Sequence, residues 1–513
     1  MKLLSKLSKY KYILIAILLL GCAVRIFCLD SAPYGLNQDE ASSGYEAYAV
    51  MTYGIDRNGY ENPAHLMSWG SGQNMAYSWL CMPFIAMLGL TVTAIRLPMA
   101  IMGCISVYIF YCLFKELWDE KSALWAAFFF AIYPWHIMKS RWGLESNIFP
   151  DLVLWGCWLL ILYLKKEKRV YLYLAVLVLS FSVYSYGTAY MFMPFFVAGT
   201  WLYMAVSRKI SWKDFALSAL LFFVTALPII MFVVINIFDL PEMQLFGFSI
   251  PRMYQRRFTT VTGTDGGFVQ GCIENLKSLW RIFVNQGDGL SWNSLDKYGV
   301  CYLVFVPLIP LGIVLSAFYK KQYSFIMHWW AVCAVMVAAV TKVNVNRINI
   351  IFIPIAYYIA VSLIHIARWH KTINAVCIAG CFVLFTLFGK GYIQQNINTM
   401  RYHFYYSYGD AFTLAKSYDT EKVYVATDAR YTLALFYDQT DPNVYLDTRV
   451  MTAEKVAFEY VGSFDRYYFY LPQVIDKNED AVYMVKNSDL HLFDSADFDI
   501  TSFFKYSVVV PKG

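Results

Sequence analysis

Apolar runs of membrane-spanning length recur along this chain as far as about residue 390, and no other feature limits its fold as strongly. A helix needs about 20 apolar residues to cross a hydrocarbon core roughly 30 Å thick. Backbone exposed to lipid must be helical or closed into a barrel, because lipid satisfies no open N–H or C=O. The runs lie at roughly 12–29, 94–114, 122–138, 147–164, 170–186, 188–206, 215–237, 299–318, 324–341, 348–367 and 373–389. The expected fold is therefore an α-helical polytopic membrane protein with about eleven transmembrane helices.

Composition agrees. The chain is 59% hydrophobic and 15% charged, where soluble proteins carry about 25% charged residues. A net charge of +6 does not point to nucleic acid, because Lys and Arg sit in short clusters between the apolar runs, as the positive-inside bias requires. The eleven cysteines lie mostly inside the runs and contain no CxxC pair, so they read as small hydrophobes rather than a disulfide or zinc framework. Lys2, Lys6, Lys9 and Lys11 precede the first run like a signal peptide. That run continues past Cys22 to Leu29, so it is read as an uncleaved span.

With the N-terminus inside, the basic clusters Lys115 to Lys121, Lys165 to Arg169, Arg208 to Lys213, Lys320-Lys321 and Arg368 to Lys371 all become cytoplasmic. The same parity puts a loop of about 30–93, a short one near 139–147, a long one near 238–298 and the tail outside. Met75 to Leu90 would invert this parity if it spanned, so it is expected to be an interfacial or re-entrant helix. In the tail, Tyr408 to Tyr418 reads as an amphipathic helix; Lys422 to Ala426, Val444 to Leu446, Tyr467 to Leu471 and Val482 to Val485 read as strands. The expected division is a membrane domain of 1–390 and a small extracytoplasmic α/β domain of 391–513.

No Asp, Glu, Lys or Arg lies near the middle of a run. Ion-coupled transporters usually place such charges along their pathway; here the ionisable residues gather at the outer ends. Asn37-Gln38-Asp39-Glu40 follows the first span, and Asn37 with Glu40 fits a capping box, a structural role for Glu40. Asp39 has two readings: partner of a helix dipole, or working carboxylate. Arg141 and Glu145 share a face and pair if their loop is helical; the functional reading has Glu145 facing Asp39 across a polar cleft, with Arg141 orienting one of them. Lys342 and Arg347, with Arg141 and Arg96, are outward cations suited to phosphate, or ordinary snorkelling side chains.

Taken in order, Asp39-Glu40, Arg96-Leu97-Pro98, Pro134, Arg141 with Glu145, and Asn346-Arg347 through Pro354 resemble the GT-C glycosyltransferases over roughly 10–390. The nearest branch holds the protein O-mannosyltransferases and the aminoarabinose transferases of lipid A (glycosyltransferase family 39). The resemblance implies Asp39 as catalytic base, Glu145 as the acidic residue that helps build the site, and a polyprenyl-phosphate sugar as donor. Many relatives carry Lys-Pro-Pro late in the first loop; here the stretch reads Trp69-Gly70-Ser71-Gly72-Gln73-Asn74. The phosphate then needs another cation, and Gln73 and Asn74 are candidates to hold sugar or acceptor hydroxyls. The expected activity is inverting sugar transfer at the outer face of the bacterial cytoplasmic membrane, onto a protein, lipid or cell-wall polymer. No cofactor is assigned and a divalent metal is left open. The alternatives are a transferase with a diphosphate donor, a lipid or sugar flippase, and a membrane scaffold presenting the tail.

Overall fold

The computed structural model describes residues 2–68, 72–254, 267–295, 297–319, 321–453 and 459–512. Its helices as far as Gln395, in chain order, are α1 (Lys2–Ile26), α2 (Gln38–Tyr53), α3 (Ala76–Leu88), α4 (Val92–Leu117), α5 (Glu120–Ala131), α6 (Pro134–Lys139), α7 (Phe149–Lys166) and α8 (Arg169–Phe181). They continue with α9 (Ala189–Val206), α10 (Trp212–Phe238), α11 (Phe268–Asn285), α12 (Leu308–Tyr319), α13 (Lys321–Val340), α14 (Phe352–Ala367) and α15 (Lys371–Gln395). Each of the apolar runs falls wholly or in part on helix. Among the described residues, seven helices are long and apolar enough to cross a membrane, the mark of a multi-pass membrane protein.

Two runs are broken, both at prolines. The run at 122–138 becomes α5 and α6, with Pro134 opening the second helix. Proline lacks an N–H and fits the first helical turn, where that group has no partner anyway. The run at 299–318 turns helical in earnest only at Leu308, beside Pro307 and Pro310. α12 then lies tightly on α14, because Gly312 has no Cβ to meet the Tyr358 carbonyl.

Contacts divide the chain into two compact units. The membrane unit comprises Met1–Leu29, Leu97–Leu227 and Phe258–Gln395. The second unit gathers Asp30–Arg96, Pro228–Arg257 and Asn396–Gly513, so the first loop folds with the tail. The segment Met75 to Leu90 belongs to it and forms α3, thirteen residues long, about 20 Å at 1.5 Å per residue and short of a span.

Within the second unit, β1 (His65–Leu66) pairs with β2 (Gln73–Asn74), and β3 (Met243–Leu245) with β4 (Phe248–Ile250). The tail carries β5 (Lys422–Ala426), β6 (Val450–Ala453), β7 (Tyr460–Phe464), β8 (Tyr467–Tyr468), β9 (Ala481–Lys486), β10 (Phe498–Ser502) and β11 (Tyr506–Pro511). They form one sheet in the order β10-β11-β9-β5-β8-β7-β6, with β5 parallel to β8 and β9. Tyr424, Tyr483, Val485, Phe493, Phe498 and Val509 form a core on it. The strand expected at Val444 to Leu446 is instead the helix Pro442–Thr448. Pro442 sits in its first turn and Asp441 caps it by accepting from the Asn443 N–H at 2.8 Å, which outweighs β-propensity.

Candidate active site

α2 begins as the sequence pattern requires. Asn37 is extended, and its Oδ1 accepts from the Asp39 N–H at 2.9 Å. Glu40 Oε2 accepts from the Asn37 N–H at 3.1 Å, which completes the capping box. Glu40 is fully buried, and Arg96 grips it with both prongs of its fork: Nε to Oε1 at 2.8 Å and Nη2 to Oε2 at 2.8 Å. Arg96 also donates from Nη1 to the Pro33 carbonyl at 2.8 Å and from Nη2 to the Gly35 carbonyl at 2.7 Å. Gly35 has φ +81°, and a Cβ there would strike the Phe404 carbonyl. One guanidinium thus ties the loop after Asp30 to the first turn of α2.

This geometry corrects the expectation for Arg96. A fully buried guanidinium with Nε, Nη1 and Nη2 all donating to its own fold is a structural clamp, not a cation presented to phosphate. Gln73 is corrected on similar grounds. It is 5% exposed; its Oε1 accepts from Ser42 Oγ at 3.0 Å, and its Nε2 donates to Ser43 Oγ at 2.7 Å and to the Asp39 carbonyl at 3.4 Å. Both ends of the amide are occupied, so Gln73 steadies α2 beneath Asp39 rather than offering itself to a sugar. Asn74 is 4% exposed on the β1–β2 pair. Trp69, Gly70 and Ser71 lie outside the described residues. Asp39 is half-buried; its backbone is fixed at the N–H by Asn37 and at the carbonyl by Gln73.

Behind α2 lies a buried polar network that the sequence reading missed. Arg57 pairs with Glu46 at 2.9 Å, both essentially inaccessible, and donates to Ser42 Oγ at 3.0 Å and to Ser68 Oγ. Its guanidinium lies 5.5 Å from the centre of the Tyr431 ring, and Tyr45 donates to the Thr440 carbonyl at 2.8 Å. Asp56 Oδ1 accepts from the N–H groups of Asn58 and Tyr60, whereas Oδ2 is buried with no hydrogen-bond partner among the described residues. Burial, and then the Glu46 charge, push the Asp56 carboxyl up to about 8, so it is a neutral acid near pH 7.

In the membrane unit, residues 140–144 form a turn rather than a helix, so the i,i+4 geometry considered for Arg141 and Glu145 does not arise. Arg141 is 4% exposed and donates to the carbonyls of Val24, Phe27 and Cys28 at 2.8, 2.8 and 3.0 Å. It caps the C-terminal end of α1, as cations do at helix ends; the phosphate role expected of it gives way to this one. Glu145 opens a short 3-10 turn ahead of α7. Lys342 and Arg347 stand in the connection between α13 and α14, where Arg347 Nη1 donates to the Lys342 carbonyl at 3.3 Å and its N–H to Asn344 Oδ1 at 2.8 Å. Lys342 is exposed and Arg347 partly so.

The same unit holds a second buried chain of charge. Arg25 meets His136 Nδ1 at 2.7 Å and donates to the carbonyls of Gly21, Phe130 and Ala131. His136 Nε2 lies 3.1 Å from Asp151 Oδ1, and Lys139 donates to Asp151 Oδ2 and to the Asn147 carbonyl. Its partners come from α1, α5, α6 and α7, and it locks them where hydrocarbon would otherwise strand single charges. Among the described residues, no three His, Cys, Asp or Glu side chains gather as a metal site.

The family model for dolichyl-phosphate-mannose-protein mannosyltransferases matches residues 73–235. No curated protein matches the sequence. Among solved structures, ArnT from Cupriavidus metallidurans bound to undecaprenyl phosphate aligns with a TM-score of 0.61 at 11% identity, covering 97% of each chain. The apo form of the same protein gives 0.55 at 11%, covering 99% of this chain and 98% of that one. The archaeal oligosaccharyltransferase AglB from Archaeoglobus fulgidus, in complex with an inhibitory peptide and a dolichol-phosphate, gives 0.50 at 14%, covering 85% of this chain and 64% of that one. The fold is that of the GT-C membrane glycosyltransferases, and the resemblance drawn from the sequence holds at that level.

Proposed function

We propose that this protein is an inverting glycosyltransferase that moves a sugar from a polyprenyl-phosphate donor to an acceptor hydroxyl on a protein, lipid or cell-wall polymer. The active site is at the outer face of the bacterial cytoplasmic membrane, with Asp39 as general base. The observation that carries the reading is the division of labour in Asp39-Glu40. Arg96 and the Asn37 cap engage both oxygens of Glu40, while the Asp39 backbone is fixed on both sides and its side chain lies in the half-buried first turn. ArnT supports the donor class, because its structure holds undecaprenyl phosphate on the same fold over nearly the whole chain.

An acceptor hydroxyl attacks the anomeric carbon as the lipid phosphate departs from the opposite face. The hydroxyl turns acidic only as the new bond forms, so the base acts late. A carboxylate at a helix N-terminus is a weak base, but sufficient for a loose, positively charged transition state. Charge developing on the departing phosphate needs a cation; with Arg96 and Arg141 committed to carbonyls and Glu40, that role passes to Arg347 and Lys342. Glu145 is proposed as the second acidic residue of the site.

The test is a purified transfer assay. Asp39→Asn should still bind the lipid donor and lose about a hundredfold or more in rate. Normal turnover by Asp39→Asn beside a folded but inactive Glu40→Gln would assign the base to the other carboxylate. Reporter fusions after Lys121, Lys213 and Lys371 should read cytoplasm, and one after Asp428 should read outside. The same side for Lys371 and Asp428 would remove the outer-face assignment.

A further inference from the structure

A groove on the membrane unit has no part in the proposed chemistry. It encloses about 550 Å³ between α1, α5 and α15, and its lining is almost wholly apolar. Each helix gives it one stripe at helical spacing: Tyr10, Ile17 and Leu20 from α1, with Lys121 and Phe128 on α5 and Asn374 and Phe382 on α15. The lowest-numbered residues of the stripes, Tyr10, Lys121 and Asn374, are the polar ones. They form one mouth, because all three helices begin at that end. Across the mouth, Trp125 donates its indole N–H to Asn374 Oδ1 at 2.8 Å.

From Tyr10 to Leu20 the stripe on α1 runs ten residues, about 15 Å at 1.5 Å per residue. That is half of a hydrocarbon core roughly 30 Å thick. The groove is therefore about one leaflet long, running from the polar residues at one end to Leu20, Phe128 and Phe382 at the other. The charge at the mouth is uneven. Lys115 is paired with Glu120 at 2.7 Å and Arg368 with Asp119, so both nearby acids are taken. Lys121 is exposed and has no ion-pair partner among the described residues, and exposed Lys11 and Lys371 stand at the same ends of α1 and α15.

We infer that this groove is a binding site for one anionic phospholipid, its acyl chain lying along α1 and its phosphate held at Lys121. A zwitterionic lipid would fill the apolar part equally well but would leave the unpaired ammonium unmatched. A polyprenyl chain is far longer than the one-leaflet depth. By the orientation of the basic clusters, the lipid belongs to the cytoplasmic leaflet, the face opposite the proposed chemistry.

The experiment is native mass spectrometry of the full-length protein released from nanodiscs of equal parts phosphatidylglycerol and phosphatidylcholine. The wild type should retain one phosphatidylglycerol in preference to phosphatidylcholine. Lys121→Gln should lower that retention about fivefold, the weight of one lysine near an anionic surface. Ile17→Trp, at a wall residue 8% exposed, should abolish it by filling the groove. Lys121→Gln sits at the surface and decides the matter even if Ile17→Trp does not fold. Undiminished retention in Lys121→Gln, equal retention of phosphatidylcholine, or displacement of phosphatidylglycerol by added undecaprenyl phosphate would each overturn the assignment.

Discussion

Replacing Glu40 by glutamine isolates what the Arg96 clamp contributes. Glutamine has the same length, so α2 keeps its first turn. It presents one acceptor where glutamate presents two, and its amide NH2 faces an Arg96 donor in either orientation, with the Asn37 N–H added when it takes the Oε2 position. The fork loses its counter-charge while fully buried. Breaking a buried pair in this way costs about 3–5 kcal/mol, because the remaining charge has no water to turn to. For a unit of roughly 200 residues that corresponds to a fall in melting temperature of about 6–20 °C. The assay is a thermal melt in detergent of a variant that keeps Cys81 as its one cysteine, read by a thiol-reactive dye that labels this buried residue as its unit opens. Glu40→Gln with Arg96→Met should recover part of the loss, since the stranded charge is gone. A melting temperature for Glu40→Gln within 2 °C of wild type would refute the clamp.

Arg347→Ala should cut turnover by about a hundredfold, with Arg347→Lys restoring only part because a point charge replaces a planar fork; wild-type rates would take Arg347 out of the site. Asp56 has a folded pKa raised from 3.8 to about 8, so its stabilising contribution is full below about pH 4 and is lost as pH rises through about 8. Melts should show the second unit weakening across that window and Asp56→Asn flattening the trend; an unchanged slope in Asp56→Asn would contradict it. Ending the chain at Gln395 should leave the first loop open to proteases, because Tyr431 and Thr440 hold Arg57 and Tyr45 in place; a protected first loop in the truncated protein would show that it folds alone.

Much of the fold was legible because its signals are local. A run of about 20 apolar residues has one outcome in lipid, and the Asn37–Glu40 box uses residues three apart, so spacing alone reveals it. What was not legible depends on partners distant in sequence. Arg96 reads as an outward cation until Glu40, 56 residues away, is seen between its prongs. Gln73 looks like a sugar ligand until Ser42, Ser43 and the Asp39 carbonyl occupy its amide. Arg141 misled through local geometry: the i,i+4 spacing with Glu145 assumed a helix where the chain turns, and its guanidinium donates to the carbonyls of Val24, Phe27 and Cys28 at the end of α1. A signal did exist for the clamp, since an arginine at an apolar boundary with a carboxylate in the preceding loop is costly unless the two meet.

If the chain transfers a lipid-linked sugar and needs Asp39 to do so, the envelope of the cell carries the record. This is tested most directly by mass spectrometry of envelope glycans and glycoproteins from three strains: a deletion, the deletion restored with the wild-type chain, and the deletion restored with Asp39→Asn at equal membrane abundance. One glycoconjugate should lose a single sugar mass in the deletion, regain it with the wild type and stay short with Asp39→Asn. Identical glycans in all three strains would contradict it.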